Sequence, residues 1–298
     1  MTRGAFCLSL IGPAAGSAAQ DPFRISVDVD LVILHATIRD GKGNVPANLR
    51  AEDVEVYEDG VRQSIRLFQH EDSPVTVGLV VDHSGSIRRK LPDVVAGARR
   101  FARFSNPLDQ MFVVNFNENV TMPLPATAPF TNRPDLLEGA IASSAAGGKT
   151  ALYDAILAAL VRLRMGTRDK RVLIVISDGG DNASTHSLAD ALKAAALSSA
   201  LIYTIGIFEK EDPDRNPRVL RQLANTTGGE AYFPNEPAEV AGVCDRIALD
   251  IRRHYTIGYF SSNGARDGRY RSVRVVARQA GKKLNTRVRA GYLAGGGK

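Results

Sequence analysis

The sequence contains no tryptophan, and aromatic residues make up only 6% of its 298 residues. Proteins that bind single-stranded nucleic acid stack successive bases on aromatic side chains. So few aromatic residues argue against a function in nucleic-acid binding. Hydrophobic residues still reach 44%, which is enough to form a core in one large domain or two smaller ones.

Cysteine is almost as scarce, with only Cys7 and Cys244 in the chain. Cys7 lies in an N-terminal segment that we expect to be removed, so the mature chain would keep one thiol and no internal disulfide. No lipid-attachment motif precedes Cys7. We interpret Cys244 as a small apolar residue on a helix.

The sequence also lacks a later run of the ~18 apolar residues that would span a bilayer, which predicts no transmembrane segment. The first 19 residues are instead typical of a signal peptide. Arg3 gives a positive start, residues 5–11 form a short apolar stretch, and Ser17 to Ala19 are small residues suited to cleavage before Gln20. We therefore expect an exported protein, either periplasmic or extracellular.

The net charge is +6, and much of the basic excess lies near the C-terminus. There the charges alternate with apolar residues, which predicts solvent-facing positions on strands. A second interpretation is contact between this basic C-terminal hairpin and an anionic polymer of the cell envelope. The basic residues are Arg266, Arg269, Arg271, Arg274, Arg278, Lys282, Lys283, Arg287 and Arg289.

The middle of the chain alternates apolar runs with helical patterns. Runs that are apolar almost throughout predict strands buried on both faces, at residues 75–81, 111–114, 172–176 and 201–205. A period of 3.6 residues predicts helices over 91–102, 152–163 and 188–195. This alternation predicts an α/β fold with a doubly wound, mostly parallel sheet and helices on both faces. Val120 to Leu124 would add an antiparallel edge strand.

The two ends of the chain read as β-structure. Near the N-terminus, residues alternate at period two from Ile25 to Ile33, and Asp59-Gly60 predicts a hairpin between strands at 54–57 and 64–68. Near the C-terminus, a turn at residues 280–282 joins two alternating stretches. Hairpins are marginal alone, so we expect the two ends to form one small β-sandwich. The predicted division is a signal peptide (1–19), an N-terminal β segment (20–72), the α/β domain (73–253), a C-terminal β segment (254–293) and a disordered tail (294–298).

Five oxygen-bearing residues follow the predicted buried strands. Asp82 ends the first strand and is followed at spacing two by Ser84 and Ser86; Asp178 ends another strand, and Thr150 precedes a helix. Ligands in open α/β sheets bind outside the carboxyl ends of the strands. Hydroxyl and carboxylate oxygens suit Mg²⁺ or Mn²⁺. The sequence therefore predicts a metal site that leaves a position for a carboxylate of a partner protein.

Each part of this pattern also has a simpler interpretation. Thr150 could only cap its helix, with Asp154 in the first turn, and the acidic run after Asp178 could be a surface turn. A serine hydrolase using Ser84 or Ser86 would need a base and an oxyanion hole, and the sequence has no Gly-x-Ser-x-Gly elbow.

Two further site types are disfavoured. Gly147-Gly148-Lys149-Thr150 is similar to the end of a phosphate-binding loop but lacks the leading glycine at position 143. His83 has no second histidine or cysteine nearby with which to bind zinc, and we expect its side chain to point away from the loop's other polar groups. Lys149 is expected to be solvated.

The segment Asp82-His83-Ser84-Gly85-Ser86, together with Thr150 and Asp178, resembles the Asp-x-Ser-x-Ser…Thr…Asp metal-ion-dependent adhesion site of the von Willebrand factor type A domain. The resemblance covers about residues 75–253. Residues 31–40, 51–60 and 255–259 look like bacterial exported proteins that carry a related domain.

The resemblance implies a doubly wound sheet and protein-ligand binding rather than catalysis. It implies that Ser84 and Ser86 bind the metal directly. It also implies that Thr150, Asp82 and Asp178 act directly or through water.

Overall fold

The computed structural model describes residues 31–46, 48–70, 72–208 and 215–295. The predicted signal peptide, the alternating residues before Leu31 and the last three residues of the predicted tail lie outside this part of the chain. The described residues form a central α/β sheet with helices on both faces and two smaller antiparallel sheets. This is the predicted fold class.

The central sheet has six strands in the order β10-β9-β8-β5-β6-β7. All neighbours are parallel except β6 and β7, which pair antiparallel at the edge as predicted. The strands are β5 (Val75–Asp82), β6 (Gln110–Phe116), β7 (Val120–Thr121), β8 (Lys170–Ser177), β9 (Leu201–Gly206) and β10 (Ala231–Tyr232).

Six helices cover the two faces of this sheet. They are α1 (Leu91–Phe104), α2 (Pro134–Ala142), α3 (Leu152–Leu163), α4 (Leu188–Leu197), α5 (Pro217–Thr227) and α6 (Val240–Arg252). One core cluster packs α1, α2 and α6 against the sheet, and a second packs α3, α4 and α5 against the opposite face. The continuous apolar runs are thus buried on both sides. Cys244 is buried on α6, as expected.

Helix α1 begins at Leu91, as the periodicity predicts, after a 3₁₀ turn at Gly85–Ile87. Pro92 suits this start, because its fixed φ and missing N–H are compatible with the first turn of a helix. The alternative interpretation of Thr150 as the cap of α3 is wrong: the helix begins at Leu152, and the residue before it is Ala151.

Helices α2 and α5 were not predicted, although each has a proline in its first turn. For α5, Asn216 accepts a hydrogen bond from the backbone of Val219, and Gly228 ends the helix with φ 83°. These start and stop signals were available in the sequence, and the buried residues of α5 also follow a helical spacing.

The two antiparallel sheets combine strands from both ends of the chain. One has the order β14-β1-β11-β4 and the other β13-β12-β2-β3, with β15 on β12. They share a core cluster, so the predicted pairing of the two ends is confirmed. The strands are β1 (Leu31–Arg39), β2 (Val54–Glu58), β3 (Val61–Gln63), β4 (Ile65–Gln69), β11 (Tyr255–Phe260), β12 (Tyr270–Gln279), β13 (Lys282–Lys283), β14 (Asn285–Arg287) and β15 (Gly291–Leu293).

The predicted hairpin at Asp59-Gly60 forms with a different partner. Strand β2 pairs with the short β3, while the stretch expected as its partner forms β4 in the other sheet, beside β11. The turn itself fits the prediction, because both residues have positive φ, 46° and 82°. The C-terminal hairpin divides similarly: β13 pairs with β12, and β14 crosses to β1.

Ion pairs join α6 to the sheet that contains β1. Asp250 on α6 binds both Arg39 of β1 and Arg287 of β14. Arg252, at the end of the same helix, binds Asp109 before β6 and Asp72 before β5. No helix in the described part of the chain is long and apolar enough to cross a membrane.

Candidate functional site

The first loop of the site follows β5 at the carboxyl edge of the central sheet. Asp82 is fully buried there. Its Oδ1 accepts the backbone N–H of Ser84 at 2.7 Å, which folds the loop back over the strand end. The Ser84 and Ser86 hydroxyl oxygens consequently lie 3.1 Å apart on the same side of the loop. Asp82, Ser84 and Ser86 are therefore brought together as the spacing predicts.

The second loop follows β8 and meets the first directly. The Ser86 hydroxyl donates to Asp178 Oδ2 at 2.5 Å across 92 residues of sequence. Asp178 is 2% exposed, and its Oδ1 accepts the backbone N–H of Gly180 at 2.9 Å. Adjacent parallel strands β5 and β8 end side by side, and this register is what brings the two loops into contact.

The third loop, residues 143–151, carries Thr150 and is fixed by its backbone. Gly147 donates to the His83 carbonyl at 2.7 Å, and Gly85 donates to the Gly148 carbonyl at 3.3 Å. The Thr150 backbone N–H donates to Asn182 Oδ1 at 2.9 Å. Thr150 is 6% exposed. This loop is thus attached to both of the others, and all five predicted residues lie on three mutually bonded loops.

The two aspartates of the site influence each other electrostatically. Burial, together with the nearby negative charge of Asp178, raises the pKa of Asp82 to about 6, against the hydrogen bonds from Ser84 and Ser177. A divalent cation between these loops would offset both effects, because it stabilises the ionised carboxylates. The buried carboxylates and adjacent hydroxyls are hard oxygen donors and so fit Mg²⁺.

The site is not a conventional cluster of acidic, histidine and cysteine ligands. Among the described residues, no three such side chains converge on a common point. The hydroxyls would instead have to supply much of a metal's ligand shell, as the sequence pattern indicates.

His83 lies inside the first loop but faces away from the polar groups. Its ring nitrogens lie 3.1 Å from the Val81 carbonyl oxygen and 3.0 Å from that of Ile141. Lys149 is exposed, as expected, and its backbone N–H donates to Glu118 Oε2 at 2.9 Å.

Three supporting residues escaped the sequence analysis. The Ser177 hydroxyl donates to Asp82 Oδ2 at 2.7 Å, Glu118 holds the backbone of Lys149, and Asn182 holds that of Thr150. Ser177 had a local signal, because it is a polar residue ending a buried strand just before Asp178. Glu118 and Asn182 had none, since their contacts depend on how distant loops meet.

Asp181 helps to hold α3 in place of the predicted Thr150 cap. It accepts the Tyr153 backbone N–H at 2.9 Å, and Ser184 accepts that of Asp154 at 3.1 Å. The run after Asp178 is therefore both a turn and a support for the neighbouring helix.

The basic C-terminal hairpin is exposed only in part. Arg271 is buried and binds Asp267 at 3.0 Å, and Arg287 binds Glu230 and Asp250. Arg289 donates to backbone carbonyls. The expectation that these charges simply face solvent is therefore wrong for Arg271, which pairs with nearby Asp267, and for Arg287, which pairs with acidic residues distant in sequence. The other basic residues of the group are exposed, namely Arg266, Arg269, Arg274, Arg278, Lys282 and Lys283.

The fold and the site together define a doubly wound α/β domain with hydroxyl and carboxylate groups gathered at one sheet edge. The family model of the von Willebrand factor type A domain matches residues 76–243, more than half of the chain. The protein belongs to this family. A comparison with curated proteins found no match.

Several solved structures share the fold at low sequence identity. A von Willebrand factor type A protein from Catenulispora acidiphila is 15% identical, with a TM-score of 0.55, covering 92% of this chain and 75% of that one. The vWF domain of the type V pili tip protein Mfa5 from Porphyromonas gingivalis is 15% identical, with a TM-score of 0.50, covering 60% and 95%. Proximal thread matrix protein 1 from the mussel byssus is 14% identical, with a TM-score of 0.53, covering 65% and 51%.

Proposed function

We propose that this protein is a metal-ion-dependent interaction module of an exported bacterial protein, which binds an acidic side chain of a partner protein through Mg²⁺ or Mn²⁺. The observation that carries the proposal is the hydrogen bond between Ser86 and Asp178. This bond joins the ends of β5 and β8, and the end of β5 also carries Asp82 and Ser84. Four of the five proposed ligands are thereby within one connected group.

In this proposal Ser84 and Ser86 bind the metal with their hydroxyl oxygens, while Asp82, Asp178 and Thr150 bind it directly or through water. The bound cation would supply a positive charge that attracts a carboxylate of the partner. Ser177 would hold the Asp82 carboxylate in orientation, as outer-shell hydrogen bonds do in other metal sites.

The charges around the loops support an acidic partner. Arg88 and Lys149 are exposed beside the site, and Arg88 Nε donates to the Ala146 carbonyl of the third loop at 3.0 Å. The acidic groups nearby are engaged internally: Glu118 accepts the Lys149 backbone N–H, and Asp181 binds Ser184. Exposed positive charges beside acidic groups that are hydrogen-bonded within the protein favour the approach of a negatively charged surface.

A serine hydrolase is the alternative, and the contacts of the two serines disfavour it. A nucleophilic serine needs a base within hydrogen-bond reach. The partner of Ser86 is a buried carboxylate, and the nearest histidine in sequence, His83, faces backbone carbonyls instead. Fluorophosphonate labelling that maps to Ser84 or Ser86 would favour the hydrolase.

The metal site can be tested by titration calorimetry with Mg²⁺. We expect wild-type protein to bind Mg²⁺ and Asp82→Ala to lose measurable binding, because a central carboxylate is removed. Asp245→Ala, which removes a carboxylate from a surface ion pair on α6, is the matched control and should bind as wild type. Circular dichroism would verify that each variant is folded. Unchanged Mg²⁺ affinity in folded Asp82→Ala would refute the proposal.

The partner can be sought by affinity capture from a cell-envelope extract, in Mg²⁺ and in chelator. A partner retained only with Mg²⁺ by wild type, and not by Asp82→Ala, is the expected result.

The proposed location outside the cytoplasm rests on residues 1–19. The shared fold of a type V pili tip protein is consistent with adhesion.

A further inference from the structure

A large cavity lies between the central sheet and the sheet that contains β1, at the edge opposite the metal-site loops. Its volume is about 800 Å³, within the range of small-molecule sites. One wall comes from β1, β4 and β11, and the other from the starts of β8 and β9 and the end of α4. The strand starts lie at the amino edge of the parallel sheet, so this cavity is separate from the site at the carboxyl edge.

The charged part of the lining is mostly basic and includes one acidic residue, Asp169. Lys170 and Arg289 both line the cavity, and neither forms an ion pair with any of the described residues. The Lys170 ammonium donates to the Ile251 carbonyl. Arg289 donates to the carbonyls of Ala196 at 3.1 Å and Gly291 at 2.6 Å. Arg171 adds a buried Nε with no hydrogen-bond partner in the part of the chain that the structure describes.

The other buried arginines show how unusual this arrangement is. Burial alone would lower the pKa of Arg287, but Glu230 and Asp250 raise it above the usual value. For Arg289, burial lowers the pKa with no carboxylate to oppose it. Burial and the nearby Arg252 lower the pKa of Lys170 to about 8, against the opposing charges of Asp72, Asp109 and Asp250. Burial, with the charges of Lys170 and Arg289, lowers the pKa of His35 to about 3. A buried positive potential of this kind favours an anion.

The lining also includes large apolar side chains that are only partly covered. Leu31, Ile33 and Leu197 line the cavity while remaining 40%, 36% and 44% exposed. Large hydrophobic side chains left uncovered inside a concave space favour a ligand with a hydrocarbon body. An inorganic anion would use the basic groups but leave these side chains in contact with water.

We propose that this cavity binds an amphipathic organic carboxylate, with its anionic group at Lys170 and Arg289 and its hydrocarbon chain along Leu31, Ile33 and Leu197. The ligand would connect the central sheet to the flanking sheet, because Leu31 and Ile33 lie on one wall while Lys170 and Leu197 lie on the other. This site does not depend on the metal-dependent function proposed above.

The test uses octanoate and octan-1-ol, which share an eight-carbon chain and differ in charge. Both are titrated into the full chain by calorimetry, with chelator present so that no metal can bind the carboxylate. We expect saturable octanoate binding that raises the melting temperature, and at least about tenfold weaker binding of octan-1-ol, since charge-assisted hydrogen bonds are lost. Equal affinity for the two probes would overturn the proposal, as would displacement of octanoate by equimolar inorganic phosphate.

Arg289→Met tests the basic end, because it keeps an unbranched apolar stem and removes the charge. We expect octanoate affinity to fall at least about tenfold. Arg269→Met removes an exposed arginine from the same region and should leave affinity unchanged. If Arg289 only supports the backbone of α4 and β15, the variant would melt at a lower temperature and bind octanoate as wild type does, which would contradict the proposal.

Leu197→Trp provides a second variant that keeps both basic groups. The larger ring would narrow the cavity from its apolar wall, so octanoate should bind more weakly even if Arg289→Met fails to fold. Wild-type affinity in folded Leu197→Trp would exclude the proposed placement of the hydrocarbon chain. Asp82→Ala should bind octanoate normally, which separates this site from the metal site.

Discussion

At the scale of single residues, the metal-site loops depend on side chains that hold other side chains. Asp82 receives hydrogen bonds from both the Ser84 backbone and the Ser177 hydroxyl. Ser177 also accepts the backbone N–H of Gly179 at 3.0 Å. This one hydroxyl therefore connects the end of β8, the turn after Asp178 and the central carboxylate.

Ser177→Ala should weaken metal binding without preventing it. Loss of the hydroxyl frees one oxygen of Asp82, and loss of such supporting hydrogen bonds typically costs about 10–100-fold in metal affinity. Mg²⁺ titration calorimetry of the variant measures this directly. Ser184→Ala, which removes a hydroxyl from the neighbouring turn, is the comparison and should have a smaller effect. Equal affinities for Ser177→Ala and wild type would show that Ser177 is not a positioning residue.

Gly148 is a second residue that is constrained by its surroundings, through its backbone conformation and through a neighbouring side chain. Its φ is 84°, and a Cβ added there would lie 1.9 Å from Glu118 Oε2. Gly148→Ala should therefore disturb the loop that carries Thr150 and cost about 1–3 kcal/mol in the free energy of unfolding. Urea denaturation would measure the cost. Gly139→Ala, at a helical glycine with open space around it, is the control and should be neutral or stabilising.

At the scale of elements, α6 is the helix most strongly attached to the flanking sheets. Asp250 is 5% exposed and binds two arginines from different strands, Arg39 and Arg287. Helix α6 also leads directly into β11, the strand between β1 and β4. The position of α6 is thus coupled to the flanking sheet both by the chain and by ion pairs.

Asp250→Asn should destabilise the protein by about 3 kcal/mol, because removing this buried carboxylate leaves Arg39 without its counterion and leaves Arg287 with Glu230 alone. Urea denaturation at neutral pH would measure this. The control, Asp245→Asn, breaks a pair on the surface of the same helix and should cost at most about 1 kcal/mol. Similar small effects for both variants would mean that the Asp250 pairs contribute little.

At the scale of the whole molecule, buried histidines predict how stability depends on pH. Burial lowers the pKa of His35 to about 3 and that of His254 well below its usual value. Both histidines are neutral when folded and protonate near pH 6.5 when unfolded. The contribution of these histidines to the free energy of unfolding is therefore fully present above pH 6.5. It falls as the pH is lowered, because the unfolded state binds more protons.

Asp82 has the opposite effect in metal-free protein. Its folded pKa of about 6 exceeds the ordinary value of 3.8 for an aspartate, so it adds stability as the pH falls between these values. The effect of the two histidines outweighs that of the one aspartate. The free energy of unfolding should therefore fall by about 1.4 kcal/mol for each unit by which the pH is lowered between pH 6 and 4.5. Urea denaturation in chelator would show this slope. Asp82→Asn should make the slope steeper, and a flat profile would contradict the assignment.

The sequence predicted the α/β domain well but the flanking strands less well. Residues 75–81 and 172–176 are apolar throughout, and this pattern directly reflects burial on both faces. The period-two alternation of residues 65–68 fits a hairpin with β2 as well as it fits the observed pairing with β11. Period-two alternation identifies a strand and its inward face, but it carries no information on which neighbour that strand will have.

The sequence by itself determined the alternation of strands and helices in the central domain and the set of oxygen-bearing residues near the strand ends, because both are local consequences of periodicity and of where buried strands stop. The tertiary structure decided which loops meet, as in the contact from Ser86 to Asp178. It also decided that Arg39 pairs with Asp250, 211 residues away, while Arg289 has no carboxylate among the described residues. Such contacts depend on packing between distant segments, and charge alternation along the chain cannot specify them.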